Sequence, residues 1–290
     1  MSVVSSGKVI FCEGTQRSLD IQLLERVLEE IPTERPTIVS SGSKFTFSIF
    51  AQGYFFPNET PREGYLVFRD RDFDAKPPDS AQLIQLSNQR IWLTYRACVE
   101  NYLIDAELID TYWREQYTEK QENPISKWGH GNSPGIEDIA QWIEASARSL
   151  QAYQAVRWAL GDLLHLSAPR SQLKTTWTAG SGKLPSSLLL PDCQTEALRL
   201  VEEFRSATNT VTPERFADSL AGYQQQFTAD LFWQQQQYLI WFHGKDIQKQ
   251  MQIEQSRYIS LDSFFKWAVK RVNISQHPDL VELQEKIEQL

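Results

Sequence analysis

Between residues 8 and 117, short apolar runs alternate with helical text, and this alternation restricts the chain to few folds. Lys8 to Cys12, bounded by Gly7 and Gly14, reads as a buried strand. Leu19, Leu23, Leu24, Val27, Leu28 and Ile31 then recur at helical spacing, with Ser18 as N-cap and Pro32 as stop. Thr37 to Ser40 is a second apolar stretch, and Phe45 to Phe50 begins a second helix. Gly64 to Phe68 is a third strand, Arg90 to Thr94 a fourth, and Ala97 to Tyr117 another helix. This order predicts an α/β fold, a parallel sheet flanked by helices. Such sheets bind ligands at the carboxyl ends of their strands. Glu13 and Asp70 each sit at such an end.

The stretch ENPISKWGHGNSPG, Glu122 to Gly135, breaks any regular pattern. The expected division is therefore an α/β domain over residues 1–125 and a mostly α-helical region over 126–290. Helical text covers Ile136 to His165, Thr195 to Ala207, Pro213 to Phe242, Asp246 to Glu254, Leu261 to Val272 and Pro278 to Leu290.

A net charge of -8 argues against coating nucleic acid through a uniformly basic face. It leaves a nucleic-acid enzyme open, because metal-holding carboxylates are themselves acidic. Basic residues do gather from Arg148 through Arg157, Arg170 and Lys174 to Lys183, a solvated face or a nucleic-acid contact. Cys12, Cys98 and Cys193 are odd in number and widely spaced, which fits reduced thiols rather than a disulfide framework or a zinc site. No apolar run approaches the roughly 20 residues that span a bilayer. The start, MSVVSSGK, lacks signal-peptide character, so the expected location is the cytoplasm, away from membranes.

The chemistry concentrates in RDRDFD, Arg69 to Asp74. Asp70 and Asp72 point the same way if the strand continues, and Asp74 is a further candidate. Two carboxylates about 4 Å apart repel by roughly 4 kcal/mol at an effective dielectric near 20. Such a group must bind a proton, pair with arginines such as Arg69 and Arg71, or hold a cation. Oxygen donors suit Mg²⁺ or Mn²⁺. An EF-hand reading fails, because Ala75 and Ala81 stand where that loop needs glycine and glutamate. A P-loop reading of TAGSGKLP fails because Trp177 falls on its first glycine. His165 and His243 lie in apolar helical text and read as core histidines.

Taken together, a Glu-Gly pair ending the first strand, an Asp-x-Asp ending a later one, and the αβ text between them resemble the TOPRIM domain. FCEGTQRSLDIQLL, IVSSGSK, VFRDRDFD and RACVENYLID are similar to its OLD-like branch, in particular to the PARIS-type TOPRIM nucleases of bacterial anti-phage defence. The resemblance covers about residues 7 to 110, with HGKDIQKQM as a faint echo in the second half. It implies that Glu13, Asp70 and Asp72 form the catalytic metal site, with Glu13 in acid-base chemistry. It adds Asp20 and Glu100 as further metal ligands, Lys44 as a substrate contact, and Mg²⁺ (or Mn²⁺) as cofactor. It further implies a toxin-like nuclease cutting RNA, with tRNA as a candidate, when released by an ABC-type ATPase partner; a homodimer is a further expectation. A DNA-nicking endonuclease and a non-catalytic TOPRIM interaction module remain alternatives.

Overall fold

The computed structural model describes residues 8–15, 17–29, 31, 35–42, 64–86, 90–123, 125–166, 190–209, 211–256 and 258–290. Lys44, the helix expected at Phe45 to Phe50 and the basic residues Arg170, Lys174 and Lys183 lie outside these.

Five strands form one sheet: β1 (Val9–Cys12), β2 (Thr37–Ser40), β3 (Tyr65–Arg69), β4 (Ile84–Gln85) and β5 (Ile91–Leu93), in the order β2-β1-β3-β5-β4. The first four in that order run parallel, and Cys12 lies beside both Ser40 and Phe68. The edge strand β4 pairs antiparallel with β5, so the sheet is mixed rather than wholly parallel. The reason is chain length: Gln85 and Ile91 are too close in sequence for a crossover, and only a hairpin fits. The position of β1 between two parallel neighbours explains its unbroken apolar run, since all four of its residues are buried. Val9, Phe11 and Val67 form a core on one face, with Val39, Tyr65 and Ile91 packed against them.

Helix α1 (Leu19–Glu29) buries Ile21, Leu23, Leu24, Val27 and Leu28, the stripe its spacing predicts. The expected helix at Ala97 to Tyr117 is instead a short α2 (Glu100–Leu103) and a long α3 (Ala106–Glu122). Asp105 causes the break: its backbone is extended and its side chain accepts from the Leu108 amide, capping α3. Helix α4 spans Ile136–Leu166, α5 Leu190–Thr208 and α6 Pro213–Thr228. The helix expected to run on to Phe242 divides into α6, α7 (Asp230–Gln234) and α8 (Tyr238–Trp241), with Gln236 at a positive φ of 51°. Then follow α9 (Gly244–Glu254), α10 (Leu261–Ala268) and α11 (Pro278–Glu288).

The chain forms two compact units, residues 1–150 with 231–290, and residues 151–230. The units therefore do not follow the expected boundary at 125 and 126. The last sixty residues belong with the sheet. Two polar side chains on α11 fasten them there: Glu282 accepts from the Leu83 amide at 2.9 Å, and Asp279 accepts from the Tyr95 amide at 3.1 Å and from the Tyr102 hydroxyl. Gln284 donates to the Val27 carbonyl at the end of α1. The smaller unit has its own polar centre, where Asp162 accepts from Ser219 and Tyr223, and the Tyr223 ring lies tilted against Trp158 and Phe227.

Candidate metal centre

Three segments converge at the carboxyl ends of β1 and β3. After β1 the chain turns at Gly14, whose φ of +89° suits glycine. A Cβ there would lie 2.4 Å from Ser18 Oγ and 3.2 Å from Asp20 Oδ2, so this turn delivers the Asp20 carboxylate to the strand end. Asp70 follows β3 directly, is 4% exposed, and accepts from the Val99 amide at 2.9 Å. Glu100, opening α2, is 6% exposed, and its Oε2 is buried without a hydrogen-bond partner. Ligand atoms of Asp70, Cys98 and Glu100 all lie within 4.8 Å of one another.

A fourth segment supplies a cation. Lys245, in the first turn of α9, places Nζ 3.6 Å from Asp70 Oδ2 and 3.7 Å from Glu100 Oε1. One lysine does not balance this group. Burial drives the Asp70 carboxyl well above its ordinary range, with Asp20, Glu100 and Asp72 pushing the same way and Lys245 opposing. Burial also raises Asp20, with Lys245 opposing and Glu100 adding to the rise. Nearby Cys12 is pushed up to about 12 by burial, helped by Asp20 and Glu13. These shifts describe a buried place that disfavours carboxylate charge, with Lys245 opposing the rise at Asp70 and Asp20.

Glu13 and Asp72 stand beside this group rather than within it. The parallel register aligns Glu13 with Arg69, not with Asp70, and Arg69 Nη1 lies 3.7 Å from Glu13 Oε1. The expectation that Asp70 and Asp72 point the same way is corrected, because the strand stops at Arg69. Asp72 has a φ of 50°, its amide bonds to the Ala97 carbonyl, and its Oδ1 meets His243 Nε2 at 3.1 Å. Asp74 turns back to Arg69 at 2.7 Å. Arg71, fully buried, serves the fold, donating to the carbonyls of Tyr95, Ala75 and Ile240.

The surroundings hold residues that strand-end reasoning passes over. Asn101, wholly buried, joins the loop before α2 to the turn before α9. Its Oδ1 accepts from the amides of Cys98 and Gly244, and its Nδ2 donates to the carbonyls of Leu239 and Phe242. Cys98 donates its thiol proton to the same Oδ1 at 3.1 Å, and burial raises its pKa far above the ordinary thiol value. As a neutral thiol already in use, it leaves the oxygens of Asp70, Glu100 and Asp20 as the hard donors. Two oxygens on one Mg²⁺, at about 2.0–2.1 Å each, lie at most about 4.2 Å apart. The spacing of Asp70 and Glu100, within 4.8 Å, needs only side-chain adjustment to fit such an ion. His243 is satisfied, as expected for a buried histidine, but by a site carboxylate. Its neighbour Lys245 carried a legible signal, because a cation in a helix's first turn opposes the macrodipole and needs acidic company.

A cleft of about 250 Å³ opens beside Glu100, lined in part by Arg17, Gln22, Gln248, Asp262 and Lys266. Among the described residues no helix is long and apolar enough to cross a membrane. Compared with protein-family models and with curated proteins, the chain matches none.

Proposed function

We propose that the chain is a TOPRIM-type, divalent-metal-dependent phosphodiesterase that cuts nucleic acid, RNA in preference to DNA. The observation that carries this reading is the gathering of Asp70 and Glu100, distant in sequence and both buried, within 4.8 Å of one another at one strand end, with Asp20 delivered beside them. A divalent cation would offset both the burial cost and the mutual repulsion of these carboxylates. The family motifs in Glu13-Gly14 and Asp70-x-Asp72 supply the TOPRIM assignment, and the polymer substrate comes with it.

Asp70, Glu100 and Asp20 would hold Mg²⁺ or Mn²⁺, which supplies Lewis-acid polarisation of a phosphate oxygen. Glu13, at the neighbouring strand end, takes the role of proton acceptor for the attacking water. Arg17 and Lys266 flank the cleft beside Glu100 and suit backbone phosphates. The toxin-like role in anti-phage defence, release by an ABC-type ATPase and a homodimeric state extend the proposal through the family resemblance.

The test is incubation of the purified chain with tRNA, single-stranded RNA, and supercoiled and linear DNA, with and without Mg²⁺ or Mn²⁺. Metal-dependent cleavage that Glu13→Gln and Asp70→Asn each reduce at least about a hundredfold supports the reading. Nicking of supercoiled DNA alone would favour the endonuclease alternative. Cellular effects that survive Glu13→Gln would favour an interaction module.

A further inference from the structure

We infer that the Lys245 ammonium is a tethered stand-in for the divalent cation, seated among the carboxylates when the metal is absent and expelled when it binds. This rests on the metal-site reading above and adds a device that sets the site's affinity. Four observations support it.

Nζ is almost equidistant from Asp70 Oδ2 and Glu100 Oε1, at 3.6 and 3.7 Å, so the ammonium sits between the two carboxylates that would hold a metal. Both distances exceed the 2.7–2.9 Å of a charge-assisted hydrogen bond, so Lys245 lies at the mouth of the group without being locked into it. Its side chain is 49% exposed, against 5% and 8% for the carboxylates, so the head of the long stem already borders solvent. Glu100 Oε2, buried without a hydrogen-bond partner, marks ligand capacity that the lysine does not use.

The anchor of this lysine is fixed although its head is not. Gly244 donates its amide to Asn101 Oδ1 at 2.9 Å and to Cys98 Sγ at 3.2 Å, tying the start of α9 to the loop that carries Glu100. The ammonium therefore stays at high local concentration next to the site, whatever the metal concentration outside. A divalent ion gains from the full set of carboxylates but must displace a resident positive charge, so Lys245 weakens metal binding while holding the metal-free fold together.

The test is a Mn²⁺ titration of the full chain by calorimetry, comparing the wild type, Lys245→Gln and Lys245→Arg, with thermal melting of each. The inference expects Lys245→Gln to bind Mn²⁺ on the order of tenfold more tightly. It expects that variant's metal-free form to melt lower and its Mn²⁺-induced rise in melting temperature to be larger. Lys245→Arg, keeping the charge, should stay near the wild type. A readout independent of any substitution is acetylation of Lys245 in the wild type, followed by mass spectrometry, which should speed up several-fold on Mn²⁺ addition as the amine is freed. Equal Mn²⁺ affinity in all three proteins, with no metal effect on acetylation, would overturn the inference while leaving the metal site standing. Absence of Mn²⁺ binding in every variant would overturn both.

Discussion

At the residue scale, Asp70 is the pivot of the site. Its folded pKa is raised, chiefly by burial, as is that of Asp20. A group that binds its proton more tightly when folded gives stability that is complete below the unfolded value, near pH 4, and is lost as pH rises through the folded value. The metal-free protein should therefore lose stability as pH rises above about 4 toward the raised folded value, and Asp70→Asn should melt above the wild type by a margin that widens over that rise. Thermal melts of the two proteins in chelator measure this directly; a constant margin would show that Asp70 is not charged at a cost. Asn101 makes the complementary case. Asn101→Ala strips the oxygen partner from the amides of Cys98 and Gly244 and the donor from the carbonyls of Leu239 and Phe242 in a fully buried place. The expected loss is on the order of 3 kcal/mol in denaturant unfolding. Much at this scale is legible in the sequence, because the strand-end positions of Glu13 and Asp70 follow from apolar runs that stop at a carboxylate. The partners of Asp72 are not, since they depend on one residue at positive φ, which no pattern of apolar residues encodes.

At the scale of elements, the site depends on where α9 begins. A Cβ on Gly244 would lie 2.8 Å from the Asn101 backbone nitrogen, an atom that cannot move aside without shifting α2. Gly244→Ala should cost about 1–3 kcal/mol by crowding, and in displacing Lys245 it should alter Mn²⁺ affinity as well. Denaturant unfolding paired with a metal titration checks both effects; an alanine with wild-type stability would mean that the two segments do not meet so closely. The periodicity of α1 and the burial of β1 were readable because each is a repeated contact with one layer. The breaks at Asp105 and Gln236 were not, because a cap and a single left-handed residue interrupt otherwise continuous helical text.

At the scale of the whole molecule, the C-terminal segment returns to complete what the N-terminal segment begins. Arg71 reaches the Ile240 carbonyl at 2.6 Å, Asp279 takes the Tyr95 amide and the Tyr102 hydroxyl, and Lys245 faces Asp70 and Glu100. Sequence order hides this, because the chain passes through the separate unit of residues 151–230 before coming back. Of the residues Glu100, Asn101 and Tyr102, the first faces the acidic group and the other two hold the returning segment. The central claim, that this group exists to hold a divalent ion, is tested most directly by Mn²⁺ calorimetry on the wild type and Asp70→Asn in metal-free buffer. The account predicts saturable binding by the wild type, with affinity at least about tenfold weaker in Asp70→Asn although that variant folds and melts higher without metal. Equal binding by the two proteins, or none by either, would contradict it.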